Sequence, residues 1–571
     1  MNEAFGIDFG TTNSVLARAT ATSVEAVPLD DHLPVEWANL GFDRVLPSVI
    51  GFENGQPLFG WLAKRKPTGK LEAVKRLFAS TDSVRIGDTE MQVEVAAATF
   101  FSHIQRRAAA MGLTSQLDQA VVTIPANSRG LARYRTKLSA GLAGIEVMAL
   151  INEPTAAAMA HARVIGQNQR ILVFDWGGGT LDVTVLQSFE GTFIEQSSKG
   201  IQRCGGLDID AAFLRAVLPR IPGSAGWADD RMNQFRLDLE LAKIELSDRD
   251  STQVQLPTGG FLPVTRVMFE EAVWSIVQRT REPVDVCLRE SPGRIDHLVM
   301  VGGSSKMPVI QRFMTEVVGI DVSTEVDPMT AIAEGAAIAA GILQGIVTDL
   351  DFHVGTEHAL GTIVHNESSS KNGEFSVLIG RNTKYPASAT HSYTPGMDFQ
   401  EEVNLQVIEG DPGKPIDDED NVVLKNWNVP LLEKRLKADS AFDVTYEYDV
   451  DGILHVLVRD KRTGQVMMDE ELAFGAGEDR TQLPKMRKRV DGLMNGARTP
   501  SGAAPVSPAG LSPESVTVVR KARQKVLPFV DATDKTELER LIGELEASSH
   551  AEEDGHRSAL ERELRKHVYL L

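Results

Sequence analysis

The stretch 171–182, ILVFDWGGGTLD, limits what this chain can fold into more than any other. Ile171, Leu172, Val173 and Phe174 form an apolar run of β-formers, which predicts a buried strand. That strand delivers a carboxylate, Asp175, towards three successive glycines, Gly177, Gly178 and Gly179, followed by Thr180 and a second acid, Asp182. Glycine lacks a Cβ, so backbone N–H groups in such a turn can converge on an anion. Thr180 adds a hydroxyl, and carboxylates at either end can hold a hydrated Mg²⁺ ion and orient a water. Taken alone, the same residues also suit a glycine-rich hairpin turn.

A second copy of the design stands at 5–14, FGIDFGTTNS, where a short apolar strand carries Asp8 into Gly10, Thr11, Thr12 and Asn13. Two such loops can face each other across a cleft and grip a triphosphate from both sides. A third glycine turn, Gly302, Gly303 and Ser304, follows the apolar run 297–301, and between and after these lie VVTIPA at 121–126 and the small-residue helix AIAEGAAIAAG at 331–341. In this order the five pieces resemble the actin-like ATPase superfamily, in which two related lobes close on a nucleotide. Further motifs narrow the likeness: VKRLF at 74–78, INEPTAAAMA at 151–160, GGLDID at 205–210, LAKIELS at 241–247, VGGSSKMP at 301–308 and DVDGILHV at 449–456. Over about residues 3–475 the chain resembles the heat shock protein 70 chaperone family, as a divergent, bacterial-type member with a short lid.

The resemblance implies a multidomain chain. An actin-like α/β nucleotide-binding domain of two lobes would span 1–345, a linker 346–356, an antiparallel β-sandwich 357–475, and a further linker with a small helical bundle 476–571. Composition is compatible: 42% hydrophobic and 24% charged residues are ordinary for a globular protein, and 571 residues allow several domains. The net charge of −20, with no basic block to offset it, argues against a nucleic-acid partner. Cys204 and Cys287 are too few for a disulfide framework and suit a reducing cytoplasm. No secretory signal is expected, because the first residues run directly into a strand pattern without a charged n-region and an apolar h-region, and no membrane span, because the longest apolar stretch, 331–347, is short, rich in Ala and Gly, and carries Glu334.

Roles follow from the resemblance residue by residue. Lys75, by itself a surface lysine, matches the lysine that reaches the γ-phosphate and the attacking water; Glu153, by itself a helix-start carboxylate, matches a second acid near metal and water. Asp175 and Asp182 complete the catalytic set, and Asp8 and Asp175 would hold Mg²⁺ through water. ATP or ADP would lie on Gly10, Thr11, Thr12, Asn13, Gly177, Gly178, Gly179, Thr180, Gly205 and Gly206. Glu240, Lys243 and Ser247 share one helical face and match the residues that clasp the adenosine, together with Gly302, Gly303, Ser304 and Lys306. Lys306 stands where the family commonly has an arginine stacked on adenine, and Met329 where it has an aspartate; both changes predict weaker nucleotide binding. Pro125 and Arg133 match a switch and relay that carry nucleotide state to the second domain, although Asn127, Ser128 and Arg129 depart from the family wording between them. The segment 255–264 is shorter than the loop that exchange factors grip in many relatives.

At the junction, Asp351, Phe352 and His353 interrupt the aliphatic run expected of the linker, which weakens the expected coupling. Beyond it the pattern turns to period two: Val403, Leu405, Val407; Phe442, Val444, Tyr446, Tyr448; and Leu454, Val456, Val458 across the turn Asp451-Gly452. The resemblance makes this the peptide-binding domain, with Leu360, Gly361, Val403 and Leu405 at the channel for an extended apolar segment. His365 near the arch, and Glu401 and Glu402 on a loop, depart from it. Residues 496–513 read as a flexible linker, and three apolar stripes (Val516, Val519, Val526, Val530; Leu538, Leu541, Ile542, Leu545; Leu560, Leu564, Val568) predict short helices.

The function implied is an ATP-hydrolysing chaperone for unfolded or extended polypeptides, served by a J-domain co-chaperone and an exchange factor of open identity. The alternative is a nucleotide-dependent scaffold or exchange factor with little or no client refolding. A sugar or acetate kinase of the same superfamily has no reason to carry a β-sandwich and lid.

Overall fold

The computed structural model describes the chain except for residues 1–2, 80, 114–116, 127, 129, 163, 190–191, 351–355, 357, 366–372, 382, 385, 419–420, 449–453, 473–480, 496–514, 516–517, 520, 549–552 and 571. Asn127, Arg129, Asp351, Phe352, His353, Asp451, Gly452, the linker 496–513 and Val516 therefore lie outside the described residues.

Two sheets in the first part of the chain follow one plan. In the first, the strand Ala4–Asp8 pairs antiparallel with Asn13–Ala19 and parallel with Gln119–Ile124, which in turn pairs with Glu146–Asn152. In the second, Arg170–Trp176 pairs antiparallel with Thr180–Phe189 and parallel with His297–Val301. Each central strand thus carries an acid at or next to its end, at the mouth of its hairpin: Asp8 faces Val15, and Asp175 faces Asp182. Residues 171–176 are buried throughout, as expected for a strand covered on both faces.

The helices Glu153–Ala160 and Ala331–Leu343 cross in direct backbone contact. A Cβ at Gly335 would sit 1.7 Å from the carbonyl oxygen of Ala156, so no larger residue fits there. The small-residue helix therefore packs against a helix and the first strand, locking the roots of the two lobes together. Farther out, the lobes meet again across the cleft: Lys64 pairs with Glu240 at 2.8 Å, and Lys70 donates to Asn233 at 3.1 Å.

The second part contains two four-stranded antiparallel sheets packed face to face. Their inward positions are those of the period-two pattern: Val407, Val444, Tyr446, Val456 and Val458 are fully buried, each contributing about 2 kcal/mol by burial. Tyr446 donates its hydroxyl to the carbonyl of Gly361 at 2.8 Å, tying one sheet to the other. This part touches the first through Gly130 N–H, which donates to Glu409 at 3.3 Å, and through the Arg381–Glu195 ion pair.

Two of the three expected stripes lie on the helices Ala532–Ala547 and Glu553–Arg565, and of the remaining one Val519 and Val526 are buried around the short helical turn Ala522–Val526. A helix with no expected stripe spans Leu483–Asn495, and these faces do not close on one another alone. Leu483, Met486, Leu538, Leu541, Leu560 and Leu564 join the same hydrophobic core as Phe100, Leu138 and Leu142 of the first lobe. Polar contacts seal the seam: Arg106 donates to the Met494 carbonyl at 2.7 Å, and Arg565 lies 3.4 Å from both Asp118 and Glu146. The helices expected as a small C-terminal bundle thus cover the first lobe and share one core with it. A period-3.6 stripe shows that a face is buried, not what buries it.

Candidate functional site

The two acid-bearing hairpins face each other where the lobes meet. Ser48 pins the first loop, donating its hydroxyl to the Gly10 carbonyl and its N–H to the Thr12 carbonyl, both at 2.8 Å. In the second loop, the carbonyls of Gly177 and Gly178 accept from Gly206 and Leu207 at 3.0 and 2.9 Å. A trans peptide sets its N–H opposite its C=O, so the N–H groups of Gly178 and Gly179 turn away from that helix. The loops touch directly: a Cβ at Gly178 would sit 2.2 Å from the Thr12 side chain, which is why this position demands glycine.

Below the loops the acids gather. Asp8 accepts from the Thr123 hydroxyl at 2.9 Å, and Lys75 pairs with Glu153 at 2.5 Å, both side chains about a tenth exposed. Asp175 and Asp182 are buried beside them, and Thr180 donates to Asp182 at 3.1 Å. Burial pushes the Asp8 carboxyl up to about 6, with the Glu153 charge adding to it against the pull of Lys75. Burial also pushes Asp175 well above the usual carboxylate range, and Glu153, Asp182 and Asp8 push it the same way. Four carboxylates share one lysine, a surplus of oxygen donors that suits a hard divalent cation such as Mg²⁺.

Next to this cluster a cavity of about 1250 Å³ opens between the lobes. Thr12, Asn13, Gly178 and Gly206 line one end, and Glu240, Lys243 and Ser247, on one face of the helix Asp229–Asp248, line the other. Gly303, Ser304 and Lys306 close the wall. Lys243 pairs with Asp210 at 2.6 Å; burial opposes its charge, but Asp210 and Glu240 outweigh that and raise its pKa. The volume is ample for a nucleoside with its phosphates.

A family model described as Hsp70 protein matches residues 79–569. The chaperone protein DnaK of Thermus thermophilus is 32% identical over 508 residues, covering 81% of this chain and 80% of that protein. The chaperone protein DnaK of Thermotoga maritima is 33% identical over 488 residues, covering 81% and 78%. This chain belongs to the Hsp70 family. Hsp70 proteins are ATPases and chaperones, so nucleotide binding, with Mg²⁺ as the usual companion, comes with membership. The matched range carries the likeness beyond 475, through the C-terminal helices, while the first glycine loop and VKRLF lie before it.

Within this Hsp70 the expected residues fare unequally. Those of the cleft converge, and on its wall Lys306 pairs with Asp327 at 2.8 Å beside the buried Met329. Pro125 lies just before the helix Gly130–Ala143, on which Arg133 is buried, and the first N–H of that helix is the one that meets Glu409 of the sandwich. The hairpin of strands Ser251–Gln255 and Phe261–Thr265 is as short as its sequence implies.

The residues expected at the peptide channel are buried in the structure. Leu360, Val403 and Leu405 lie inside the sandwich core at 2, 8 and 5% exposure, and a Cβ at Gly361 would sit 2.0 Å from the Ser376 carbonyl. Leu360, Val403 and Leu405 occupy the inward phase of their strands and share a hydrophobic core with Val444 and Tyr446 of the opposing sheet. Exposed apolar side chains stand instead on the loop between the strands Ala387–Tyr393 and Glu402–Gly410: Met397 and Phe399 are 69 and 59% exposed. Sequence reasoning also missed Lys64, Lys70, Arg76, Thr123 and Asp210. Arg76, which donates to the Gly179 carbonyl, had a signal in its place beside Lys75; the others are ordinary polar residues until the fold brings them to the cleft.

Proposed function

We propose that this Hsp70 binds Mg-ATP in the inter-lobe cleft, hydrolyses it, and couples hydrolysis to its grip on unfolded or extended polypeptides. The observation that carries the reading is the gathering of Asp8, Glu153, Asp175, Asp182 and Lys75 beneath two opposed glycine loops.

In this reading the amides of both loops, with Thr11, Thr12 and Thr180, hold the phosphates, and Asp8 and Asp175 hold hydrated Mg²⁺. When bound, the ion offsets part of the charge that the carboxylates and phosphates bring together. Glu153 and Asp182 orient the attacking water and receive its proton, while Lys75 stabilises charge on the phosphoryl group in transfer. Glu240, Lys243 and Ser247 clasp the adenosine against Gly302, Gly303, Ser304 and Lys306.

Coupling would run from Pro125 and Arg133 through the helix start at Gly130 to Glu409. The division 1–345, 346–356, 357–475 and 476–571 is the domain organisation we propose, in a cytoplasmic chaperone served by a J-domain partner. Among the described residues, no helix is long and apolar enough to cross a membrane.

Single-turnover ATP hydrolysis with and without a panel of unfolded peptides tests this. Slow turnover that peptide accelerates is the expected result. Turnover indifferent to every peptide would replace coupling with an uncoupled scaffold, and tight ATP binding without turnover would overturn hydrolysis itself.

A further inference from the structure

A second cluster of donor groups lies far from the cleft in sequence, among the C-terminal helices. Asp534 stands in the first turn of the helix Ala532–Ala547, Glu563 in the last turn of the helix Glu553–Arg565, and His567 in the turn that follows. One donor atom from each lies within 4.8 Å of the others. His567 is 4% exposed, and neither ring nitrogen has a hydrogen-bond partner among the described residues. A buried imidazole ordinarily fills at least one of its two nitrogen sites.

The Asp534 carboxylate is 3.8 Å from Nε2, too long for a hydrogen bond. Ligands held at about 2.0–2.1 Å by one tetrahedral ion stand about 3.3–3.4 Å apart, so a small contraction would bring these three onto a common centre. One Glu563 oxygen is held at 2.6 Å by Lys566, whose side chain is 66% exposed and can swing away, and the 42% exposure of Asp534 provides a path from solvent. Among the described residues a second Asp/His cluster, Asp30, Asp31 and His32, differs: His32 already meets Asp31 at 2.7 Å, and Asp31 and His32 are exposed.

We propose that Asp534, Glu563 and His567 bind a divalent transition ion, zinc in the first instance, which fastens the C-terminal turn to the first lobe. One imidazole and two carboxylates with a fourth position for water are a donor set that zinc accepts. The attachment follows from packing: the turn Val568–Leu570 that follows His567 lies on the helix Gly130–Ala143, where a Cβ at Gly141 would sit 3.0 Å from Tyr569 Cα. Binding would therefore staple two C-terminal helices and hold Tyr569 against the lobe.

The test uses the full chain, stripped with chelator and saturated with Mg-ADP so that the acid cluster of the cleft is occupied. Titration with Co²⁺, read by its visible absorption, and competition with Zn²⁺ should reveal one site. His567→Ala and Glu563→Gln should weaken it at least about tenfold, while His32→Ala should leave it unchanged. Asp534→Asn changes a part-exposed residue without changing its size, so it decides the matter if circular dichroism shows His567→Ala to be misfolded. Absence of a Co²⁺ site in the parent protein, or an unchanged site in His567→Ala or in a folded Asp534→Asn variant, would overturn the proposal.

Discussion

The inter-lobe cleft and the β-sandwich both carry short motifs, yet the structure treats the two sets of residues differently. In the cleft, the acids and glycines named from sequence meet across two lobes, with Gly178 against Thr12 and Lys75 against Glu153. In the sandwich, Leu360, Val403 and Leu405 turn out to be core residues, while Met397 and Phe399 hold the exposed apolar surface. The difference lies in what each chemistry costs. A buried carboxylate or a cluster of glycines is expensive for a fold and marks a site. A valine at an alternating position is what any sandwich needs, so it carries no mark of function.

Three measurements bear on that contrast. The largest effect belongs to the cleft: Lys75→Ala should slow single-turnover hydrolysis by about 10²–10³-fold, on the order of 3–4 kcal/mol in the barrier, with the fold intact by circular dichroism. A loss under tenfold would remove Lys75 from the catalytic set.

For the sandwich, Leu405→Ala should cost about 2–4 kcal/mol of stability, because it opens a cavity between the sheets. The check is chemical denaturation of the full chain followed by sandwich-specific hydrogen exchange. A variant that loses peptide affinity while keeping its stability would give Leu405 a binding role rather than a packing one and erase the contrast.

The smallest effect concerns the scaffold beneath the cleft. His103, stacked on Phe59 at 4.5 Å between ring centroids, is pushed down to about 4 by burial first and then by the nearby Arg107 charge. Its unfolded value is near 6.5, so between 6.5 and 4 the unfolded chain binds more protons than the folded one. Its contribution is present above pH 6.5 and is lost as pH falls towards 4. From this group alone, stability should be about 2 kcal/mol lower at pH 5 than at pH 7. Urea titrations at both values should show that difference shrinking in His103→Gln; an equal pH dependence in the variant would assign the effect to other groups.

Much of the fold was legible because its constraints are local. The strand runs ending in Asp8 and Asp175 need only β-forming residues and a glycine turn, and both formed with the expected hairpins. The small-residue helix was equally plain, since Gly335 leaves room for the Ala156 backbone and nothing larger would. Less legible were residues whose role depends on a distant partner. Lys64 reads as a surface lysine until it meets Glu240, 176 residues away, and Thr123 as a strand threonine until it donates to Asp8.

By itself, then, the sequence determined the strands, the two glycine loops, the alternation of the sandwich and the stripes of the C-terminal helices, because each follows from the period and chemistry of neighbouring residues. Only the tertiary structure decided what those faces meet. It set the C-terminal stripes on the first lobe, turned Val403 and Leu405 inward, joined Gly130 to Glu409, and left His567 between two carboxylates without a hydrogen bond. The physical reason is that apolar burial is non-directional: a buried face is written in the chain, but its partner is chosen by the shape of the whole.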